Sequence, residues 1–337
     1  MSNYAYVATR ARSRRSRLLP AEAYNQLLNL EHAEIARYIQ DLEYRREIDR
    51  YGSTLSGADL IETALVDNLA KDIGDFLSFS KGKLRDILHV YAEKYRVDNL
   101  KNIIRGINQN MDRQNLERLV CPINDSDKDL YSKLYDSKTV EDVISSLEGT
   151  SYYNPLKKAL ESRNSDSLQP LEDALDLIYY RNLVSNQPSG GADVEVYRNF
   201  VQLKVDIANI KTLLRMRHRG IGSHDELLIS GGTLATDVLA STQSLEDLLS
   251  SLEGTKYFEL LEPHLKPDSV DLNSCVHSLD EYMAKKTKRF SYLYPLSVLP
   301  VLDYLLKKER EVYNLRAIVR GKQAGLANDI IEELVVV

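Results

Sequence analysis

Residues able to do chemistry are thinly spread in this sequence. Its six histidines stand at 32, 89, 218, 224, 264 and 277. None forms an HExxH pair or a His/Cys cluster, so no zinc site is expected. Cys121 and Cys275 lack metal-type spacing and read as single thiols of a reducing compartment. Gly82-Lys83 and Gly321-Lys322 lack the rest of a phosphate-cradling loop. Gly220-Ile-Gly222 would need a strand before it to hold a dinucleotide, and no GxSxG elbow occurs. A proton-transfer enzyme would need two carboxylates with raised pKa values close together. Asp206 and Glu311 are the only candidates, and a packing network between helices is the better reading of both. No catalytic, cofactor-binding or metal residue is therefore assigned.

What does recur is a helical pattern: Asn, aliphatic, basic, any, aliphatic, aliphatic, Arg. It occurs at Asn99 to Arg105, Asn209 to Arg215 and Asn314 to Arg320. On a helix, Leu100, Ile103, Ile104 and Ile107 share one apolar face with Asn99 at its edge. Lys101 and Arg105 lie one turn apart on the polar side, as do Lys211 with Arg215 and Arg316 with Arg320. Like charges at that spacing cost roughly 0.2–0.5 kcal/mol in an isolated helix. Acids on a neighbouring helix or an acidic partner surface could offset this, and both readings stand. Three residues before the Asn come Asp206 and Glu311, on the apolar face, where a carboxylate must be hydrogen-bonded. Asn209 and Asn314, one turn on, are the expected partners. In the first copy that position is Arg96, and an acid stands at Asp98 instead.

A second segment repeats as well. Glu141 to Tyr153 and Glu246 to Phe258 are identical at nine of thirteen positions. Thr139 and Ser244 can cap the start of a short helix whose first turn carries Asp142 or Asp247. Gly149 and Gly254 suit its end, where a left-handed residue costs glycine little. A weaker copy runs from Ala33 to Tyr44, with Ile35, Ile39 and Tyr44 matching Val143, Leu147 and Tyr152; it lacks the hydroxyl cap and the Gly-Thr turn. Further helical stretches fall between the two elements, at Asp59 to Ile73, Leu171 to Leu183 and Ser278 to Arg289. Gln187 to Gly191 reads as a loop. The spacing predicts an all-α chain of three tandem homologous helical domains, 1–112, 113–220 and 221–337.

Composition narrows the partners. The chain has 337 residues, 43% hydrophobic and 28% charged, with a net charge of −6. That suits a globular protein of two or three compact units and disfavours nucleic acid as the main partner. Phe290 to Leu306 is the most apolar run, but Pro295, Pro300 and Asp303 interrupt it, so a buried helix bent at its start is expected rather than a membrane span. Five arginines fall between residues 10 and 17. They could mark a transit peptide, a nucleic-acid arm or a lipid-surface helix. Tyr4, Val7, Ala8 and Ala11 form one stripe continuing to Leu18, which favours a first helix docked on the body.

The segments YAYVATRARSRRSRLL (Tyr4 to Leu19), IYYRNL (Ile178 to Leu183), ISGGTL (Ile229 to Leu234) and EVYNLRAIVRGKQAGLANDIIEELVV (Glu311 to Val336) carry a resemblance in their order and spacing. The chain resembles the C subunits of archaeal A-type ATP synthases, relatives of the bacterial V-type C subunit and the eukaryotic V-ATPase d subunit. Arg96 departs from the acid more common there. The resemblance implies a funnel of three helical domains with pseudo-threefold symmetry on the cytoplasmic face of the cell membrane. It implies a rotor part that seats the central-stalk subunits D and F on the membrane proteolipid ring and passes torque between them. It further implies no bound nucleotide, cofactor or bond-making chemistry. The residues alone reach a helical-repeat scaffold or adaptor of some complex.

Overall fold

A computed structural model describes residues 2–161, 167–188, 190–220, 225–266 and 269–336. Ser189 of the expected loop, Gly222 and His224 lie outside these ranges. Among the described residues one rhythm recurs, short helices followed by two long ones. The first set is α1 (Tyr4–Arg15), α2 (Ala21–Leu27), α3 (His32–Gln40) and α4 (Arg45–Tyr51), then α5 (Gly57–Phe79) and α6 (Lys83–Asn108). The second is α7 (Arg113–Leu119), α8 (Asp125–Leu134), α9 (Val140–Ser146) and α10 (Tyr153–Glu161), then α11 (Gln169–Ser185) and α12 (Ala192–His218). The third is α13 (Thr236–Ser241), α14 (Leu245–Ser251) and α15 (Lys256–Leu261), then α16 (Leu272–Leu293) and α17 (Leu299–Gln323), with α18 (Asn328–Leu334) after it. Two-residue strands at Leu265–Lys266 and Ser269–Val270 make one antiparallel ladder. The chain is all-α in class.

Local chemistry explains the short helices. Thr139 and Ser244 accept from the N–H of Asp142 and Asp247, and those carboxylates accept back from the capping residues' own N–H at 3.1 Å. Both helices end near a glycine in the left-handed region, Gly149 at φ 84° and Gly254 at φ 76°. The first copy has a glutamate in place of the hydroxyl: Glu31 caps the helix, and Glu34 accepts from the N–H of Glu31 at 2.8 Å.

The chain divides into two compact units. One is Met1–Leu175 with Tyr304–Val337, the other Asp176–Asp303. In the first, Leu27, Ile35, Ile39, Ile61 and Leu65 share a core with Leu315, Ile318 and Ile331 from the far end of the sequence. In the second, α12 packs on α14 and α16, and Val205, Ile210, Leu248, Leu252 and Leu279 are buried. Burying each such side chain contributes about 1.5–3 kcal/mol.

The first helix is docked. Val7, Ala8 and Ala11 are buried, and Arg14 reaches Asp72 at 2.7 Å and Asp75 at 2.5 Å on α5. Arg10 lies over the Phe79 ring, 4.3 Å from its centroid. Arg10 and Arg14 of the basic face are thus engaged by an aromatic ring and carboxylates within the chain.

The Phe290 to Leu306 run departs from its expected form. It is not one buried helix: α16 stops at Leu293, residues 294–298 turn, and α17 starts at Leu299. Pro295 has no N–H to continue the helix and crowds the residue before it. Ser291 and the stretch from Ser297 to Leu305 are buried, and the turn between them is not. Tyr292, Leu293, Tyr294 and Leu296 are 60%, 59%, 41% and 63% exposed.

Candidate functional site

The three repeated asparagines do the same job in each long helix. The Asn99 amide donates to the Cys121 carbonyl at 2.8 Å and accepts from the Cys121 N–H at 2.9 Å. Asn209 does this with Ile229 at 2.8 and 2.9 Å, and Asn314 with Val336 at 2.8 and 2.9 Å. An amide offers a donor and an acceptor side by side, which is what a single residue's exposed N–H and C=O require. All three asparagines are buried. Each clamps an irregular segment beyond the end of its helix, about twenty residues on from the asparagine.

The carboxylates three residues earlier hold tyrosines and backbone, not the neighbouring asparagine. Glu311 accepts from the Tyr44 hydroxyl and the Leu19 N–H, both at 2.6 Å, and pairs with Lys308 at 3.1 Å. Lys308, itself buried, also donates to the Tyr44 hydroxyl at 2.7 Å. Asp206 accepts from the N–H groups of Thr233 at 2.8 Å and Leu234 at 3.1 Å, from the Tyr257 hydroxyl at 3.1 Å, and from the Thr233 hydroxyl. This explains the two glycines of ISGGTL. Gly231 sits at φ 108°, and a Cβ on Gly232 would stand 2.1 Å from Asp206 Oδ1. Only a bare backbone can come that close.

The first copy solves the same problem differently. Arg96 bridges Asp127 at 2.8 Å and Glu93 at 3.0 Å, and Glu93 accepts from the Tyr152 hydroxyl. The acid is thus Glu93, one turn before Arg96, rather than Asp98. Tyr44, Tyr152 and Tyr257 are the matching tyrosines of the short-helix repeat. Burial foremost, then the nearby carboxylates, pushes the Tyr44 and Tyr257 phenols above their ordinary value. Burial likewise raises Glu93 against the pull of Arg96.

The basic pairs meet acids within the chain. Arg105 makes a two-point contact with Glu172, at 2.6 and 2.7 Å. Lys211 pairs with Asp280 at 2.6 Å. Arg316 pairs with Glu62 at 2.6 Å, and Arg320 pairs with Glu62 and, at 3.2 Å, with Asp59. Lys101 and Arg215, the remaining members, are half-buried and also have interaction partners. Glu62, Glu172 and Asp280 stand on α5, α11 and α16, at near-equal spacing in the sequence. That recurrence is the readable signal for the acids, and the Asn–Arg pattern alone does not contain it.

Asp206 lies in the second unit and Glu311 in the first, each enclosed by its own donors. Among the described residues no group of three or more His, Cys, Asp or Glu could hold a metal. Both thiols are buried, and burial pushes Cys275 up to about 11.

These features define a class: an all-α protein whose long helices carry a repeated amide clamp, a carboxylate–tyrosine contact and an ion pair. The family model of the ATP synthase (C/AC39) subunit matches residues 7–334, and the chain belongs to that family. It is similar to the C subunits of several archaeal A-type ATP synthases. That of Haloferax volcanii is 36% identical over 99% of this chain and 98% of its own. Those of Archaeoglobus fulgidus and Methanosarcina mazei are 33% and 32% identical, over 99% and 100% of this chain and 96% and 93% of their own.

Proposed function

We propose that this chain is the non-catalytic rotor adaptor of an A/V-type ATP synthase. It joins the central-stalk subunits D and F to the membrane proteolipid ring on the cytoplasmic side and carries torque between ion flow and ATP chemistry. The observation that carries this reading is the clamp repeated at Asn99, Asn209 and Asn314 in a chain of this family. Three imperfect copies, 1–112, 113–220 and 221–337, can surround an axis as a funnel and so meet a symmetric ring and an asymmetric shaft. Torque transmission needs stiffness, which buried two-bond clamps and ion pairs supply. In this reading the repeated Asn, Asp/Glu and Lys/Arg positions are structural, and the partners bind elsewhere on the surface. No described helix is long and apolar enough to cross a membrane, which suits a peripheral part.

Immobilised chain should capture the purified central stalk and, separately, the detergent-solubilised ring. Stable interfaces bury about 1,200–2,000 Å² or more, so both complexes should survive washing. Capture of neither partner, or ATP hydrolysis by the isolated chain, would overturn the proposal.

A further inference from the structure

The turn between α16 and α17 is unlike the turns at the matching places in the sequence. Tyr292, Leu293, Tyr294, Pro295 and Leu296 are consecutive and all exposed. The turn between α5 and α6, Ser80 to Gly82, exposes no large apolar side chain, and neither do the described residues between α11 and α12. Leaving four large apolar side chains in water opposes folding, so a covering surface is called for.

The flanking charge points to the chemistry of that surface. From Tyr282 to Leu302 the sequence has no acid and four cations, Lys285, Lys286, Lys288 and Arg289. Lys285, Lys288, Arg289 and Tyr292 recur at helical spacing and line one shallow groove with Leu293. Lys285 also pairs with Glu281 at 2.6 Å, and Lys286 lies over the Tyr282 ring at 5.3 Å. Lys288 and Arg289 are exposed. Cations therefore sit on the shaft of α16, tyrosines at its end and leucines at the tip. Arg289 stands roughly 6 Å along the axis from Leu293. Phosphates, headgroup boundary and acyl chains follow that same order across a lipid surface.

We propose that this tip docks on an anionic lipid bilayer, with Leu293 and Leu296 at the acyl boundary and Lys285, Lys288 and Arg289 at lipid phosphates. The inference rests on the peripheral placement proposed above but needs neither stalk nor ring. Capture of those partners and binding to vesicles are separate measurements, and either can fail alone.

The chain contains no tryptophan, so Tyr292→Trp provides a single reporter at the tip. Its emission should shift to the blue with phosphatidylglycerol vesicles and stay unchanged with phosphatidylcholine vesicles. The full chain should co-float with the former at low salt. Lys285→Gln/Lys288→Gln/Arg289→Gln should weaken partitioning on the order of a hundredfold. Leu293→Ser/Leu296→Ser should abolish the co-flotation, and Lys83→Gln/Arg85→Gln at the first turn should change nothing. All these side chains are solvent-facing, and far-UV circular dichroism reports whether each variant keeps its helices. Water-like emission of the reporter on phosphatidylglycerol overturns the proposal. So does a leucine variant that still floats but no longer binds the solubilised ring, because the tip is then a protein interface.

Discussion

Asn209→Ala is the most direct probe of the clamp. The substitution removes a donor and an acceptor at once, and Asn209 and Ile229 are both buried. It strands the Ile229 N–H and C=O, each costing about 1–3 kcal/mol when unpaired. A loss of about 2–5 kcal/mol after partial relaxation is expected, which is large for one substitution. Asn99→Ala should behave alike, because Cys121 is buried too. Asn314→Ala should cost only about 1 kcal/mol, since half-exposed Val336 can exchange the amide for water. A two-unit chain need not unfold in one step, so native-state hydrogen exchange is the cleaner assay. The amides of Cys121, Ile229 and Val336 each donate to an asparagine, and each reports its own clamp. In Asn209→Ala the Ile229 amide should lose protection while that of Cys121 keeps it. Equal losses in all three variants, or a protected Ile229 amide in Asn209→Ala, would refute the argument.

Two further outcomes follow from charge and burial. Glu62 has only 7% of its side chain exposed, while Arg316 and Arg320 are far more open. Removing both cations with Arg316→Met/Arg320→Met strands a buried carboxylate and should cost about 3 kcal/mol in urea unfolding. Glu62→Gln leaves two arginines that water can reach and should cost about 1 kcal/mol, so a larger loss from Glu62→Gln would reverse the reasoning. The Tyr44, Tyr95, Tyr257 and Tyr304 phenols are raised by burial first and by Glu311, Glu309, Asp206 and Asp72 next. A raised folded value means their stabilisation is fully present below the unfolded value near 10 and is lost as pH climbs past it. With 21 tyrosines and no tryptophan, phenolate absorbance should show a late group that ionises together with loss of helical dichroism. Gradual ionisation of every tyrosine with helices intact would contradict this.

The all-α class and the recurrence of the asparagines on long helices are legible in the sequence because apolar spacing and the Asn–Arg pattern recur, but the clamp those asparagines make is not. The caps at Thr139 and Ser244 are legible because a hydroxyl, an acid and a glycine have fixed local roles. What hydrogen-bonds Asp206 is not, because its partners at Thr233 and Tyr257 are distant in sequence and no local rule reaches them. The proximity of Asn209 suggests a pairing, but its amide satisfies a backbone residue twenty positions on. Arg96 conceals the first acid for a similar reason: Glu93 lies one turn away and uses the arginine as its bridge. The exposed tip escapes a sequence reading because a run of apolar residues suggests burial, and Pro295 decides where that run breaks only once the flanking helices are placed.

The long helix of each sequence copy is tied to elements of the next. Arg105 in the first reaches Glu172 in the second, and Tyr152 of the second reaches Glu93 of the first. Lys211 reaches Asp280, and Tyr257 reaches Asp206. The long helix α17 of the third copy is tied to the first: Arg316 to Glu62, Glu311 to Tyr44 and Leu19. The carboxylate of Glu62 is buried against Arg316 and Arg320. The first copy departs at Arg96, which bridges Glu93 and Asp127, so its tyrosine contact is kept although the acid stands one turn earlier.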